Sequence, residues 1–576
     1  MTAVPLILVV GGDDLAVRVC EELCATQGHR AALVWSHDHH IASRIERLNC
    51  DYFPYAPNDV DALRIAGVCE ASSIMVLSDD DRLNLQVALK ARDLNPHIRV
   101  VLRQFNRTLG RKIEQNLPDC SVLSLSAHSA ASFVAAALDP ACFFALQFPD
   151  RDGVQAGFSE RTAGELAISG LTLRTAQAKL GMRIVALEGS PTLPPDRPFR
   201  SEDRLVVFAR TQRLDATAER PNARADRRHR HLLRLWIGTT RQLRRAARVD
   251  PILARIALAI AAIVLFSVVF FAFALPDVHH DPVTALYFVL TTFSTTGYGD
   301  ITPRETGVAP FAMLLANLVM LTGVVTSGIF IAIVTSALTR AQFTLMQGLR
   351  QIRTRDHVLV CGAGNVGTRV LEFLMTLGHR IVVVETAPDP RLVELSRSRR
   401  LELLTADATR DSTLDMCNLA NARAVVAVTQ SETANLEIAL GARARNAELP
   451  VVMRVADDAF AASISRQFSE IKTISTTALA APTFAMLSRF PGTRGRIAFG
   501  DDTYNVGERQ QGEVPAPPPA DHCIALAVWR RGEFLHIDSF DEMQPFDRLL
   551  FIVPLSQFKP AAHVEQREAL AAETVS

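Results

Sequence analysis

One pattern occurs twice in this chain. Residues Leu8 to Leu23 (LVVGGDDLAVRVCEEL) align with Leu359 to Leu374 (LVCGAGNVGTRVLEFL), and the match continues without large gaps. Gly28-His29-Arg30 pairs with Gly378-His379-Arg380, Asn84 with Asn435, and Arg103 with Arg454. Such self-similarity means that one structural unit is built twice. Each copy alternates short β-branched runs (LILVV, AALVW, IMVLS, RVVL; then HVLVC, IVVVE, VVAVT, VVMRV) with amphipathic stretches. That pattern predicts parallel strands joined by crossover helices, a Rossmann-like α/β unit. A smaller strand-rich lobe should follow each, ending at Asp203–Phe208 and Asp547–Ile552.

The sequence between the copies is of another kind. From Ile256 to Pro276 no residue is charged, and such a helix covers roughly the 30 Å hydrocarbon core. A second uncharged tract, Thr306 to Thr339, exceeds what a bilayer needs and should tilt or project. The mean hydropathy of +0.15 agrees with a membrane part inside a globular chain. Ten arginines from Arg224 to Arg255 precede the first span and Arg340, Arg350, Arg353 and Arg355 follow the second, whereas the intervening loop has only Arg304. The positive-inside rule then puts both termini and both α/β copies in the cytoplasm, with the basic run beside anionic lipid headgroups. Sixty-one basic residues balance 61 acidic ones, so nothing suggests nucleic acid as a partner. Nine scattered cysteines without CxxC spacing read as reduced core residues. The N-terminus lacks a basic n-region and reads as a strand, not a signal peptide.

The fold expected is therefore multidomain, with two α/β Rossmann-like units flanking an all-α transmembrane pore module. Its expected divisions are 1–135 and 136–215 for the first unit and its lobe, 216–250 for a basic linker and 251–345 for the membrane module. The second unit and its lobe take 353–490 and 491–557, and 558–576 is a tail. Glu508 to Asp521 is a Pro-rich stretch within the last lobe.

Between the spans, Asp281-Pro282 opens an apolar helix reaching about Ser294, too short to cross and therefore re-entrant. It is followed by Thr295-Thr296-Gly297-Tyr298-Gly299-Asp300, which closely resembles the potassium-channel signature. The resemblance implies an ion-selectivity filter in which carbonyl oxygens from four loops replace the hydration shell of K+. Glycine at 297 and 299 frees the backbone to turn carbonyls toward one axis, Thr295 can add a hydroxyl, and Tyr298 should pack outward. One loop cannot enclose a pore, so a homotetramer follows. The commoner family version has Val where Thr296 stands, which bears on conductance and inactivation. Gly323 and Gly328 are candidate gate hinges, or else sites of close helix packing.

In the second copy, Gly362-Ala363-Gly364-Asn365-Val366-Gly367 is a full GxGxxG after a strand, and Glu385 ends the next strand. Glycines for close phosphate approach, a helix N-terminus and a carboxylate for a ribose make a dinucleotide site. Arg369 could touch a phosphate, and Asp407 would lie near base or ribose. The first copy has Asp13, Ala16, Trp35 and Ala56 in place of Gly364, Gly367, Glu385 and Asp407, so it should not bind pyrophosphate. A two-span pore with such units resembles bacterial potassium channels carrying RCK (TrkA-N/TrkA-C type) domains. That resemblance implies a gating ring controlled by NAD(H) or adenine nucleotides, or by a divalent cation such as calcium. Placement of one unit before the pore departs from the family, where both follow it. No enzyme is expected. Three other readings are a Trk/Ktr-type transporter subunit, a channel whose units only scaffold, and a membrane-tethered nucleotide-dependent oxidoreductase.

Overall fold

A computed structural model describes residues 4–25, 29–36, 38–48, 50–148, 155–217, 251–275, 281–305, 308–346, 351–397, 401–510, 523–531, 533–537, 543–544 and 547–557. The arginines from Arg224 to Arg248, Arg350, most of the Pro-rich stretch and the tail from 558 lie outside them. Two units emerge, one formed by both α/β copies together (residues 1–221 and 350–576) and one by residues 222–349.

The first copy builds a six-stranded parallel sheet from β1 (Leu6–Val10), β2 (Arg30–Val34), β3 (Cys50–Phe53), β4 (Ser73–Val76), β5 (Arg99–Arg103) and β6 (Cys120–Leu123). The order β3-β2-β1-β4-β5-β6 puts a topological switch between β1 and β4. Four further strands, β7 (Cys142–Gln147), β8 (Gln155–Thr162), β9 (Arg183–Leu187) and β10 (Arg204–Arg210), form the antiparallel sheet of the first lobe. The second copy repeats the sheet with β11 (His357–Cys361), β12 (Arg380–Glu385), β13 (Leu401–Thr405), β14 (Ala422–Ala427), β15 (Val451–Val455) and β16 (Ile471–Ser475), in the order β13-β12-β11-β14-β15-β16. Its lobe has five strands, β17 (Thr493–Phe499), β18 (Asp502–Gln510), β19 (Ile524–Arg530), β20 (Glu533–His536) and β21 (Arg548–Pro554).

The two copies exchange helices. Helix Leu125–Leu138, which follows β6, packs on helix Asn365–Thr376 of the second copy, and helix Thr476–Leu487 packs on Asp14–Ala25 of the first. Alanine and serine dominate the first of these, and every residue from Ser126 to Leu138 is buried. Small side chains bring helix backbones close on all sides, which this sandwiched position requires. The lobes share a further apolar cluster that includes Phe158, Phe208, Tyr504 and Trp529. Among the cysteines, Cys20, Cys142, Cys361 and Cys417 are buried, but Cys69 is exposed, contrary to the expectation that all nine belong to the core.

In the other unit, helices Pro251–Ala274, Pro282–Phe293 and Ala309–Met346 meet at Phe271, Phe288, Val289, Leu315 and Val319. The rings of Phe271 and Phe288 meet edge to face at 4.8 Å. Within the third helix, Ala309–Ile329 is long and apolar enough to cross a membrane; among the described residues, Ile260–Ala274 and Pro282–Phe293 are apolar but shorter.

Candidate functional site: a filter loop and a nucleotide cavity

The short helix of the second unit starts on Asp281, whose carboxylate accepts from the backbone N–H of Val283 (3.0 Å) and Thr284 (3.2 Å), with Pro282 in the first turn. It ends at Phe293, where the carbonyl of Thr291 accepts from both Thr296 N (2.9 Å) and Gly297 N (3.2 Å). Three residues of the following loop are left-handed, Thr295 (φ 58°), Gly297 (φ 49°) and Gly299 (φ 78°). This alternation is what the glycine spacing predicts, and Thr295 joins it despite its β-branch, at a cost of order 1–3 kcal/mol. Ser294 to Asp300 is exposed throughout on the single chain. Tyr298 lies parallel to Tyr287, ring centroids 6.3 Å apart, and the Tyr287 hydroxyl donates to Asp300 at 2.8 Å. Gly323 sits directly under the carbonyl of Phe293, where any Cβ would overlap it; close packing therefore accounts for this glycine, while Gly328 has open space.

The second site is a cavity of about 810 Å³ at the switch point between β11 and β14, within the usual range for small-molecule pockets. Gly362 is left-handed (φ 95°) and presses on the backbone of Thr429; a Cβ on Gly367 would overlap the Gly362 carbonyl. Helix and strand thus approach as a phosphate-binding turn needs. Gly364 caps the helix without a side-chain bond and has nothing within 4 Å of a would-be Cβ, so its space opens on the cavity. Asn365 and Val366 line the same mouth. Glu385 accepts from Ala363 N (2.6 Å), Thr386 N (2.8 Å) and Ala387 N (3.2 Å), so it braces the glycine turn besides facing the cavity. Asp407 also lines it, its carboxyl held below the usual range by hydrogen bonds from Thr409.

Arg369 departs from expectation. Its guanidinium pairs with Glu372 (2.6 Å), donates to the Phe105 carbonyl of the first copy (3.3 Å) and lies over the Phe105 ring; it is not among the residues lining the cavity. Arg18 does the same in the opposite sense, donating to the Ala456 carbonyl at 3.3 Å and pairing with Asp458. The two arginines are matched clasps across the pseudo-twofold axis relating the copies.

Known families match these regions. A TrkA-N domain model matches residues 7–117 and again 358–475, and an ion-channel model matches 258–340. Two TrkA-N domains flank an ion-channel domain. Among curated relatives, the voltage-gated potassium channel Kch of Escherichia coli (strain K12) is 24% identical over 203 residues, 34% of this chain and 46% of that one. Potassium channel protein 1 of Methanocaldococcus jannaschii is 26% identical over 178 residues, 30% and 53% of the two chains. The chain thus spans about half the length of these relatives. A solved structure titled "GsuK Channel" aligns at 13% identity and a TM-score of 0.49, covering 96% of this chain and 78% of that one. An ion-channel domain works in a membrane, in keeping with the apolar Ala309–Ile329 segment.

The cavity belongs to both TrkA-N domains, which sequence reading missed. Asp79, Asp81, Arg103, Gln104, Phe105 and Ser126 of the first domain line it opposite the GxGxxG turn of the second. Gln104 is 1% exposed, and neither atom of its amide has a partner among the described residues. A buried amide normally finds partners, so this one marks where a ligand's polar group would sit. Arg454, near the end of β15, also lines the cavity, and its guanidinium makes no hydrogen bond or ion pair among the described residues. The repeat already aligned Arg454 with Arg103, but local sequence gave no sign that it faces the glycine turn. The Asp80 and Asp81 carboxylates accept from backbone N–H groups, and no cluster of three potential metal ligands occurs among the described residues.

In the first TrkA-N domain the corresponding place is filled. The Trp35 indole lies against Gly12, so close that a Cβ there would collide with it, and the Asp13 carboxylate pairs with Arg103. The residues around the cavity fit a phosphate-bearing nucleotide, with Gly364 and Arg454 of the second domain and Gln104 of the first, whose amide has no partner among the described residues, as the observations that carry the fit.

Proposed function

We propose that the chain is a subunit of a homotetrameric, potassium-selective channel of the plasma membrane, with both termini and both TrkA-N domains cytoplasmic. Its conduction responds to a nucleotide, NAD(H) or an adenine nucleotide, held in the cavity of the second domain. The observation that carries the channel reading is the alternation of left-handed backbone at Thr295, Gly297 and Gly299, directly after a helix that ends in the filter sequence. Four such loops around an axis would offer K+ a stack of carbonyls, with Thr295 adding its hydroxyl, while the pore helix turns the negative end of its dipole toward the ion. The exposed filter segment on the single chain suits a surface completed by neighbours. The potassium-channel relatives support the same reading.

Gating is a matter of linkage. The ligand touches residues of both domains, so it can favour one arrangement of the pair over another. A preference of about 1.4 kcal/mol per subunit shifts the equilibrium of that subunit tenfold. Arg454 and the helix N-terminus at Gly364 attract the phosphates, Glu385 and Asp407 accept from ribose hydroxyls, and Gln104 offers a donor and an acceptor from the opposite domain.

The test is flux through purified full-length protein in liposomes, in potassium and in sodium, while NADH, ADP and ATP are titrated. Potassium-selective flux that changes with at least one nucleotide is expected. Equal sodium and potassium flux would sink the filter assignment, and flux indifferent to all three nucleotides would sink the gating one.

A further inference from the structure

The sequences of the two domains align residue for residue at their glycine turns, and the first contains a pair whose second-domain counterpart is half missing. Asp13 corresponds to Gly364 and Arg103 to Arg454. In the first domain, Arg103 Nη1 pairs with the Asp13 carboxylate and donates to the Leu77 carbonyl at 2.9 Å; Asp13 also caps its helix, accepting from Ala16 N at 3.2 Å. In the second domain no carboxylate among the described residues pairs with Arg454. Burial pushes the Arg454 guanidinium below its ordinary range, with only partial relief from Glu432, as expected of a cation lacking its anion. Gly364 has extended backbone (φ −67°, ψ −162°) and free space where a side chain would project.

We infer that Arg454 holds a phosphate group of the ligand beside Gly364, in the place that the Asp13 carboxylate fills against Arg103, so that the first TrkA-N domain carries its own built-in pseudo-ligand. Carboxylate and phosphate both present oxygens that a guanidinium binds through paired N–H donors. Trp35 over Gly12 completes the occupation of the first site by covering its turn with an aromatic ring. The inference rests on the reading that a phosphate-bearing ligand enters the cavity. It adds that only the second domain can respond to one, because the first is permanently satisfied.

The experiment uses the full-length protein in detergent and reads thermal unfolding and binding of ADP, NADH and inorganic pyrophosphate. Gly364→Asp rebuilds the first domain's pair in the second. It should raise the melting temperature of the ligand-free protein and remove binding of all three probes. Gly364→Asn supplies the helix cap without the charge, and should give a smaller rise. Arg454→Gln should weaken binding by about tenfold or more, and combined with Gly364→Asp it should cancel the part of the rise that exceeds the Asn variant. Effects of Gly364→Asp and Arg454→Gln that simply add in the melting experiment overturn the inference, as does pyrophosphate or nucleotide binding that Arg454→Gln leaves unchanged. If the coupling appears but wild-type protein binds neither ADP nor NADH, the anion position stands and nucleotide gating falls.

Discussion

The glycine turns of the two TrkA-N domains begin with the same strand and sheet order, yet they are built differently. In the second domain Gly362 is left-handed and Gly367 lets its carbonyl rest against the helix. In the first, Gly11 is not left-handed and Ala16 already places a methyl where Gly367 has none. One fold therefore supports an open site and a closed one, and the difference is a handful of side chains at the switch point, Asp13, Ala16 and Trp35 against Gly364, Gly367 and Glu385. The scaffold tolerates the loss of the site because sheet and exchanged helices, rather than the turn, supply the core.

Substitutions that exchange features between the domains test this comparison. The largest effect should come from Gly367→Ala, whose Cβ overlaps the Gly362 carbonyl: more than about 3 kcal/mol in unfolding free energy, with nucleotide binding lost, measured by denaturant titration and binding. Restoring Gly at Ala16 should cost about 1 kcal/mol or less, the helix-propensity difference alone.

Next comes an asymmetry at the axis itself, where His128 of the first domain faces its counterpart Leu479. His128 is buried against Phe144 and near Thr483, and burial pushes its pKa down from 6.5 to about 4, opposed by the hydrogen bond that its ring donates to the Leu479 backbone carbonyl. The unfolded chain therefore binds the proton first. Stability is full above about pH 6.5 and is lost as pH falls toward 4, by up to about 3 kcal/mol for this shift. His128→Leu, which makes the axis symmetric, should flatten that part of the pH–stability curve in thermal melts between pH 7 and 4; an unchanged slope would show that His128 does not carry it.

A smaller effect is expected for Asp13→Gly, which leaves Arg103 without its carboxylate. The pair is partly exposed, so the loss should be about 1 kcal/mol, read in the same melts. The variant should not open a nucleotide site while Trp35 covers Gly12, so ADP stoichiometry should stay at one per chain; two would show that Asp13 alone closes the first domain. Smallest of all, Arg369→Gln should cost roughly 0.5–1 kcal/mol of the contact between the domains and leave ADP affinity within about twofold, because its partners are Glu372 and Phe105.

Much of this was legible in the chain. The TTGYGD segment and the GxGxxG turn are local motifs whose residue types suit their backbone geometry, and Gly297, Gly299 and Gly362 take left-handed φ values. The central strands β1, β2, β4 and β5 and their second-domain counterparts read as continuous apolar runs because both faces are covered. The outer strands β3, β6, β13 and β16 (CDYF, CSVL, LELLT, IKTIS) did not, because they are only half-buried and mix polar with apolar residues. The duplicated Asn84 and Asn435 showed only as a match in the repeat, whereas their role is tertiary: each ties the end of one strand to the next through the carbonyls of Ser78 and Arg103, or Thr429 and Arg454.

What the sequence settled unaided was the repeat, the apolar module and the two glycine motifs, all properties of neighbours along the chain. Only folding in three dimensions decided that the cavity at the glycine turn is walled by both domains, that Arg369 clasps the opposite copy, and that Gln104 and Arg454 face the cavity without partners among the described residues. The reason is that helix exchange brings together residues hundreds of positions apart, and no local spacing encodes which side chains meet across a pseudo-twofold axis.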